Sequence, residues 1–256
     1  MINRIVAIAT HTFKEAVRDR ILVLFVIFAV GMMAASTVLS WLTVGSELKI
    51  VTDLGLAALA IFGTLIAIFI GITLIHKEVE KKTIYAVLAK PVSRWEFLVG
   101  KYCGLMLTLA VVTGLMAAFC IGLVWWKGGE FPAHLLVAVV LTYMELSIIT
   151  AVAIVFSSFT TPMLAAVFTV ATYIVGHLTW GFTSFLEFAP GTATQVLVNV
   201  LYYALPDLET FNVRSRVVHG LPVGRGYVLD AIGYALAYSA GMLALATLLF
   251  RRRDLT

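Results

Sequence analysis

The chain has 256 residues, of which 61% are hydrophobic and 12% charged, and a net charge of +4. Soluble domains average about 25% charged residues, so this composition excludes a water-soluble globule and makes lipid the solvent. The length suits one bundle of roughly six membrane spans, and the small positive balance reports orientation before any nucleic-acid partner, for which no reading module is present.

The first element is an amphipathic helix over residues 1–20. Ile2, Ile5, Val6, Ala9, Phe13, Ala16 and Val17 recur at helical spacing, and Arg4, His11, Glu15 and Arg18 take the other face. Such a helix lies in the membrane interface. The run "ILVLFVIFAVGMMAAS" that follows imitates the apolar core of a signal peptide. Its apolar character continues through Trp41 and Leu42, and Glu15 and Asp19 precede it, so it reads as a retained anchor.

Six spans are expected, at 21–43, 54–75, 98–125, 133–157, 162–182 and 227–250. Asp53 is placed to cap the second, and Thr161-Pro162 gives the fifth a cap and a first-turn proline. Trp41, Trp125, Trp126 and Trp180 fall near the outer ends, as an aromatic belt does. Cys103 and Cys120 share one helix, about 25 Å apart along its axis, and cannot pair within the chain. No metal-ligand spacing occurs.

Lys and Arg divide unequally between the two sides. The N-terminal helix, the stretch between the second and third spans, and the tail carry thirteen; the other side carries five, Lys49, Lys127, Arg214, Arg216 and Arg225. The positive-inside rule then places both termini in the cytoplasm. Residues 183–226 become an external segment. Its "PGTATQVLVNVLYYALPD" holds a turn, a Thr192…Gln195 capping box and an apolar helix too short to span. That helix is expected to lie on the outer surface or to re-enter the bundle.

Charge concentrates at 76–97, in "HKEVEKKTIYAVLAKPVSRWEFLVGK", which runs on to Lys101. Lys77 to Ala89 are good helix formers with Ile84, Val87 and Leu88 on one face. Pro91 breaks that helix. Ser93 opens a capping box with Glu96 at the start of the third span. The design suits docking to a soluble partner; the plainer alternative is a solvated loop that only sets topology.

This stretch resembles the cytoplasmic loop of ABC-2-type transporter permeases. The pattern is carried by Glu78, Glu80, Thr83, Pro91, Ser93, Arg94, Gly100 and Lys101, with Lys82 where the family often has glycine. "IVFSSFTTPMLAAVFT" and "LPDLETFNVRSRVVHG" are similar to the family too. The resemblance covers nearly the whole chain. It implies a single permease domain over 1–256: an all-α integral membrane protein with six transmembrane helices, an N-terminal interfacial helix, a cytoplasmic coupling helix and short external helices before the last span. It implies that Glu78, Glu80, Thr83, Ile84, Val87, Leu88, Pro91, Ser93 and Arg94 couple to a separate ATPase subunit. It implies two ATPase copies, which hold ATP and Mg, and a homodimer of permeases in the plasma membrane of a prokaryote. This chain itself needs no cofactor and is not expected to be an enzyme. Gly100-Lys101 is followed by Tyr102, and Trp95 stands where a P-loop has its first glycine. The complex would export a substrate or exert force on an external partner protein.

Glu145 is the acid deepest in a span, and charge in hydrocarbon points by default to function, here a transport pathway. The rival is a glutamate that fixes helix packing. His177 reads as a packing or interfacial residue and Asp230 as a helix-end residue. The alternative class is a secondary transporter or channel using Glu145. A membrane enzyme would need paired acids or a histidine cluster within the bilayer, which the sequence lacks.

Overall fold

The computed structural model describes residues 2–41, 46–80, 93–128, 130–179 and 205–252. Among them the elements are α1 (Ile2–Val17), α2 (Arg20–Ser40), α3 (Glu47–Glu80), α4 (Arg94–Gly128), α5 (His134–Phe159), α6 (Pro162–His177), a 3-10 turn (Glu209–Phe211), α7 (Arg214–Val218) and α8 (Arg225–Arg252). No strand occurs among the described residues. Five helices, α2, α3, α4, α5 and α8, are long and apolar enough to cross a membrane. The fifth expected span appears as α6, whose 16 residues cover about 24 Å, short of a hydrocarbon core of about 30 Å. The remainder of that expected span, from 180 onward, lies outside the described residues.

Local signals set most helix starts. Asp19 caps α2 by accepting a hydrogen bond from Ile21 N at 3.0 Å. Thr161 is extended at φ −77° and ψ 159°, and Pro162 opens α6 as expected, although the threonine hydroxyl makes no capping bond. Ser93 N donates to Glu96 Oε2 at 2.9 Å, which is one arm of the expected capping box. Asp53 does not cap its span. Helix α3 begins at Glu47, so Asp53 stands in its second turn, where the backbone N–H groups are already engaged.

Helices α3 and α5 are the most enclosed, and α2 and α8 the least. Leu59 of α3 and Leu141, Leu146, Ile148 and Ile154 of α5 are fully buried. Glycines allow the close approach: Gly63 faces Leu146, Gly71 faces Ala153, and Gly55 meets the Cys120 side chain of α4. The pairings make α3 parallel to α5 and antiparallel to α4. In lipid the helices gain little by hiding apolar surface from one another, so tight contact and shared polar bonds hold them. Tyr143 OH donates to Met106 O at 3.1 Å, and the Ser147 and Ser239 hydroxyls lie 3.5 Å apart between α5 and α8.

The N-terminal helix is docked on α4. A Cβ at Gly104 would stand 2.6 Å from Ala9 O and from Thr12 Cβ, and one at Gly100 would stand 2.8 Å from Ile8. Between the two glycines, Lys101 is 1% exposed, with Nζ 3.9 Å from the Glu15 carboxylate. The apolar stripe of α1 is therefore divided. Ala16 is buried, whereas Ile2, Val6 and Val17 stay exposed.

These contacts put α1, the start of α4, the Thr160–Thr161 turn and the end of α8 at one end of the bundle. This is the basic end. The opposite end holds the end of α2, the start of α3 and the α4–α5 connection. Trp41, Trp125 and Trp126 are exposed there, as a belt of interfacial aromatics requires, and Trp180 lies outside the described residues.

The seam between α1 and α4 gives a direct test. Gly104→Ala is expected to destabilise the protein by about 1–3 kcal/mol through overpacking. Gly114→Ala, where nothing lies within 4 Å, is expected to be neutral or to stabilise by up to about 1 kcal/mol through helix propensity. Thermal unfolding of both variants in detergent measures the difference.

Candidate functional site

The connection before α8 enters the bundle instead of lying over it. Leu208 is fully buried, Phe211 is 1% exposed, and a Cβ on Gly176 would meet the Leu208 side chain at 2.8 Å. Its backbone is tied down at depth. Leu208 N donates to Gly176 O at 3.0 Å, and Asp207 N donates to Tyr234 OH at 2.9 Å. Tyr234 stands nine residues into α8, about 14 Å from the helix start, and Glu145 stands eleven residues into α5, about 17 Å from its start. Both measures place 205–213 well inside the opposite end. Non-helical backbone is tolerated at such depth only where protein encloses it or water lines it. Of the segment expected to be external, 205–213 is therefore re-entrant. The short helix expected before it lies outside the described residues, apart from its last positions.

The re-entrant turn brings three titratable groups together. His177 closes α6. Its Nε2 lies 3.0 Å from Glu145 Oε1 of α5, and its Nδ1 lies 3.2 Å from Glu209 Oε2 of the turn. Glu145 is buried, His177 is partly exposed, and Glu209 is the most accessible of the three. Tyr173 packs edge-on against the imidazole, 4.7 Å between ring centroids. Asn212 Nδ2 donates to the other Glu209 oxygen at 3.0 Å. A cavity of about 270 Å³ opens beside the cluster, lined by Glu145, Tyr173, His177, Glu209, Asn212 and Arg214. A ring held between two carboxylates through opposite nitrogens cannot chelate one metal ion with them, and no metal-holding cluster occurs among the described residues.

Next to it, Arg214 of α7 grips Asp53 of α3 with both Nε and Nη2, the latter at 2.6 Å from Oδ2. Hydrogen bonding to Asp53 raises the Arg214 pKa above its ordinary value. This pair ties the far side of the re-entrant connection to α3. A larger cavity, about 790 Å³, lies outside it between α2, α3 and α7, with Lys49 and His219 on its rim. Beside Tyr234 of α8, Asp207 accepts from Thr179 Oγ1 and Thr210 Oγ1, each at 2.8 Å. Asp230 is an exposed second-turn residue of α8 rather than a terminal one, and it lines a cavity with Asp207 and Tyr227.

The residues expected at the docking site are only partly described. Glu78 and Glu80 belong to the last turn of α3, which runs on from the span without a break. Thr83, Ile84, Val87, Leu88 and Pro91 lie outside the described residues. Ser93 and Arg94 start α4. Sequence reasoning singled out Glu145 but gave it no partner. A signal was present: Glu145 and His177 are equidistant from Thr161, the turn of the α5–α6 hairpin, so an antiparallel pair brings them to one depth. No comparable signal marked Glu209 or the Asp53–Arg214 pair, because a re-entrant path has no fixed register.

A bundle in which five of the described helices are long and apolar enough to cross a membrane, with a buried polar cluster and a re-entrant segment, defines a multi-pass helical membrane protein. A family model described as ABC-2 family transporter protein matches residues 6–255, nearly the whole chain, and the protein belongs to that family. No curated protein matches it.

The Asp53–Arg214 pair is half-exposed, so its strength is limited by solvent screening. A double-mutant cycle with Asp53→Asn and Arg214→Gln, read by thermal unfolding, is expected to give a coupling of about 0.2–1 kcal/mol. A coupling indistinguishable from zero would show that α7 is held to α3 by packing alone.

Proposed function

We propose that this chain is the transmembrane permease subunit of an ATP-binding-cassette exporter, driven by ATP hydrolysis on a separate subunit. The family match across residues 6–255 carries the reading. The working complex is two copies of this chain with two ATPase subunits, which hold the ATP and Mg. It moves a substrate outward or acts by force on an external partner protein. The basic end is cytoplasmic, and the membrane is the plasma membrane of a prokaryote. The thirteen-to-five division of Lys and Arg supports that orientation.

Docking is assigned to the 76–97 region, from Glu78 through Arg94. Helix lengths support it. Helices α3 and α4 have 34 and 35 residues, about 51–53 Å each, so both project beyond a core of about 30 Å. The connection between them is carried on two continuous rods that reach the centre of the bundle. A displacement at the docking point is then transmitted along α3 and α4 to the helices that surround Glu145.

Replacing Glu78 and Glu80 with lysine is expected to reduce capture of the ATPase subunit at least tenfold, the effect of about 1.4 kcal/mol, and to abolish its stimulation by the permease. Unchanged capture and stimulation would remove the docking role. The buried Glu145 favours one rival, a gradient-driven transporter. Transport that persists without the ATPase and collapses with the ion gradient would establish that rival instead.

Orientation has its own test. Single cysteines at Ser93 and Ser215, in a background lacking Cys103 and Cys120, are treated with an impermeant maleimide on intact cells. Ser215 lies on the exposed side of α7 and is expected to react, while position 93 is expected to stay unlabelled. The reverse pattern overturns the assignment.

A further inference from the structure

We propose that Glu145, His177 and Glu209 form a proton-binding site, and that one proton shared by the three groups clamps the re-entrant turn 205–213 onto α5 and α6. The proton binds there whatever the chain transports.

The donors in the cluster are too few without an added proton. Ionised carboxylates only accept hydrogen bonds, and a neutral imidazole has one N–H and one bare nitrogen. His177 presents Nε2 to Glu145 at 3.0 Å and Nδ1 to Glu209 at 3.2 Å. Each contact needs a proton between its two atoms. A neutral ring with two ionised carboxylates supplies one. The observed geometry therefore requires one proton more, placed either on the ring or on a carboxyl group. With it the cluster carries a net charge of −1; without it, −2. In the second state one nitrogen lone pair faces a carboxylate oxygen, and that contact is repulsive. The contact to Glu209 is the one to yield, because Glu145 is buried in the middle of α5 while Glu209, on a short turn, is the most accessible of the three.

Among the described residues, the surroundings supply no substitute for that proton. Around the cavity, Tyr173 from α6 meets the ring through an edge contact. Arg214 from α7 is engaged by Asp53 of α3. Asn212 donates to the Glu209 oxygen that does not face His177. Glu209 has two neighbours in sequence that anchor the turn by other means, Leu208 N by donating to Gly176 O of α6 and Thr210 O by accepting from the Tyr227 hydroxyl of α8. Loss of the His177 contact thus loosens the turn without unfolding α6 or α8. The sign follows from the count. Both contacts exist while the extra proton is bound, and the clamp opens as pH rises.

Amide hydrogen exchange of the full chain in lipid nanodiscs tests this between about pH 5 and about pH 8, the range in which histidine changes charge. After correction for intrinsic rates, protection of the peptide covering 205–213 is expected to fall as pH rises, by up to about tenfold per pH unit for one linked proton. In Glu209→Gln the amide N–H donates to Nδ1 while Nε2–H donates to Glu145. Both contacts are then made without the extra proton, and protection is expected to stay high and flat. Glu145→Gln achieves the same from the other side and serves if the first variant does not fold. His11, His76, His134 and His219 are present in all three proteins, so the difference in slope belongs to the cluster. A flat profile in the unaltered protein, protection that rises with pH, or variants that keep the original slope would overturn the proposal.

Discussion

Every backbone N–H and C=O placed in hydrocarbon must find its partner within the chain, and the rest of this structure depends on that constraint. An unmet group costs several kcal/mol, more than most single packing contacts return. Helices meet the demand one residue at a time, which is why a chain that is 61% hydrophobic is built from them. The one described stretch that departs from helix at depth, 205–213, meets it by borrowing. It takes a carbonyl from the end of α6 and a hydroxyl from the middle of α8. Its own 3-10 turn supplies two more bonds, Phe211 N to Leu208 O and Asn212 N to Glu209 O.

The borrowing explains why charge gathers where it does. A re-entrant turn brings polar side chains with it, and they have to be paired at the depth they reach. Glu209 meets His177, Arg214 meets Asp53, and Asp207 meets two threonines. Pairs of this kind add little net stability, because solvent screens the half-exposed ones and desolvation offsets the buried ones. They fix which arrangement of the turn is allowed. A bundle whose other contacts are generic leucine, isoleucine and alanine surfaces acquires from them one defined register between this segment and helices α3 and α6.

The spans and several helix starts were legible in the sequence because their causes are local. A run of about twenty apolar residues, the Thr161-Pro162 start of α6 and the Ser93…Glu96 box each act over one or two turns. Asp53 was misplaced because the residues before it, from Glu47, are compatible with helix, and the partner that decides its role lies far along the chain at Arg214. Glu145 stood out by its cost in lipid, but its meaning came from groups on two other elements. One of them, His177, follows from hairpin symmetry. Glu209 does not, since it depends on how deeply a connecting segment enters, and no periodicity encodes that.

The seat of α1 has a consequence for biogenesis. Thr12 rests against Gly104, which leaves the ribosome about ninety residues later. At synthesis rates of about 5–20 residues per second, the first helix waits on the order of ten seconds for its site to exist. During that interval its apolar stripe has no protein to cover it, and the membrane surface is the natural holding place for an amphipathic helix. Insertion of α4 then provides the two glycines and Lys101 together, so α1, made ahead of these spans, stays unlocked until α2 and α3 have been synthesised and α4 arrives. Assembly order is written into the chain by the separation of these two partners, and a truncated product that stops before α4 would present α1 without its site.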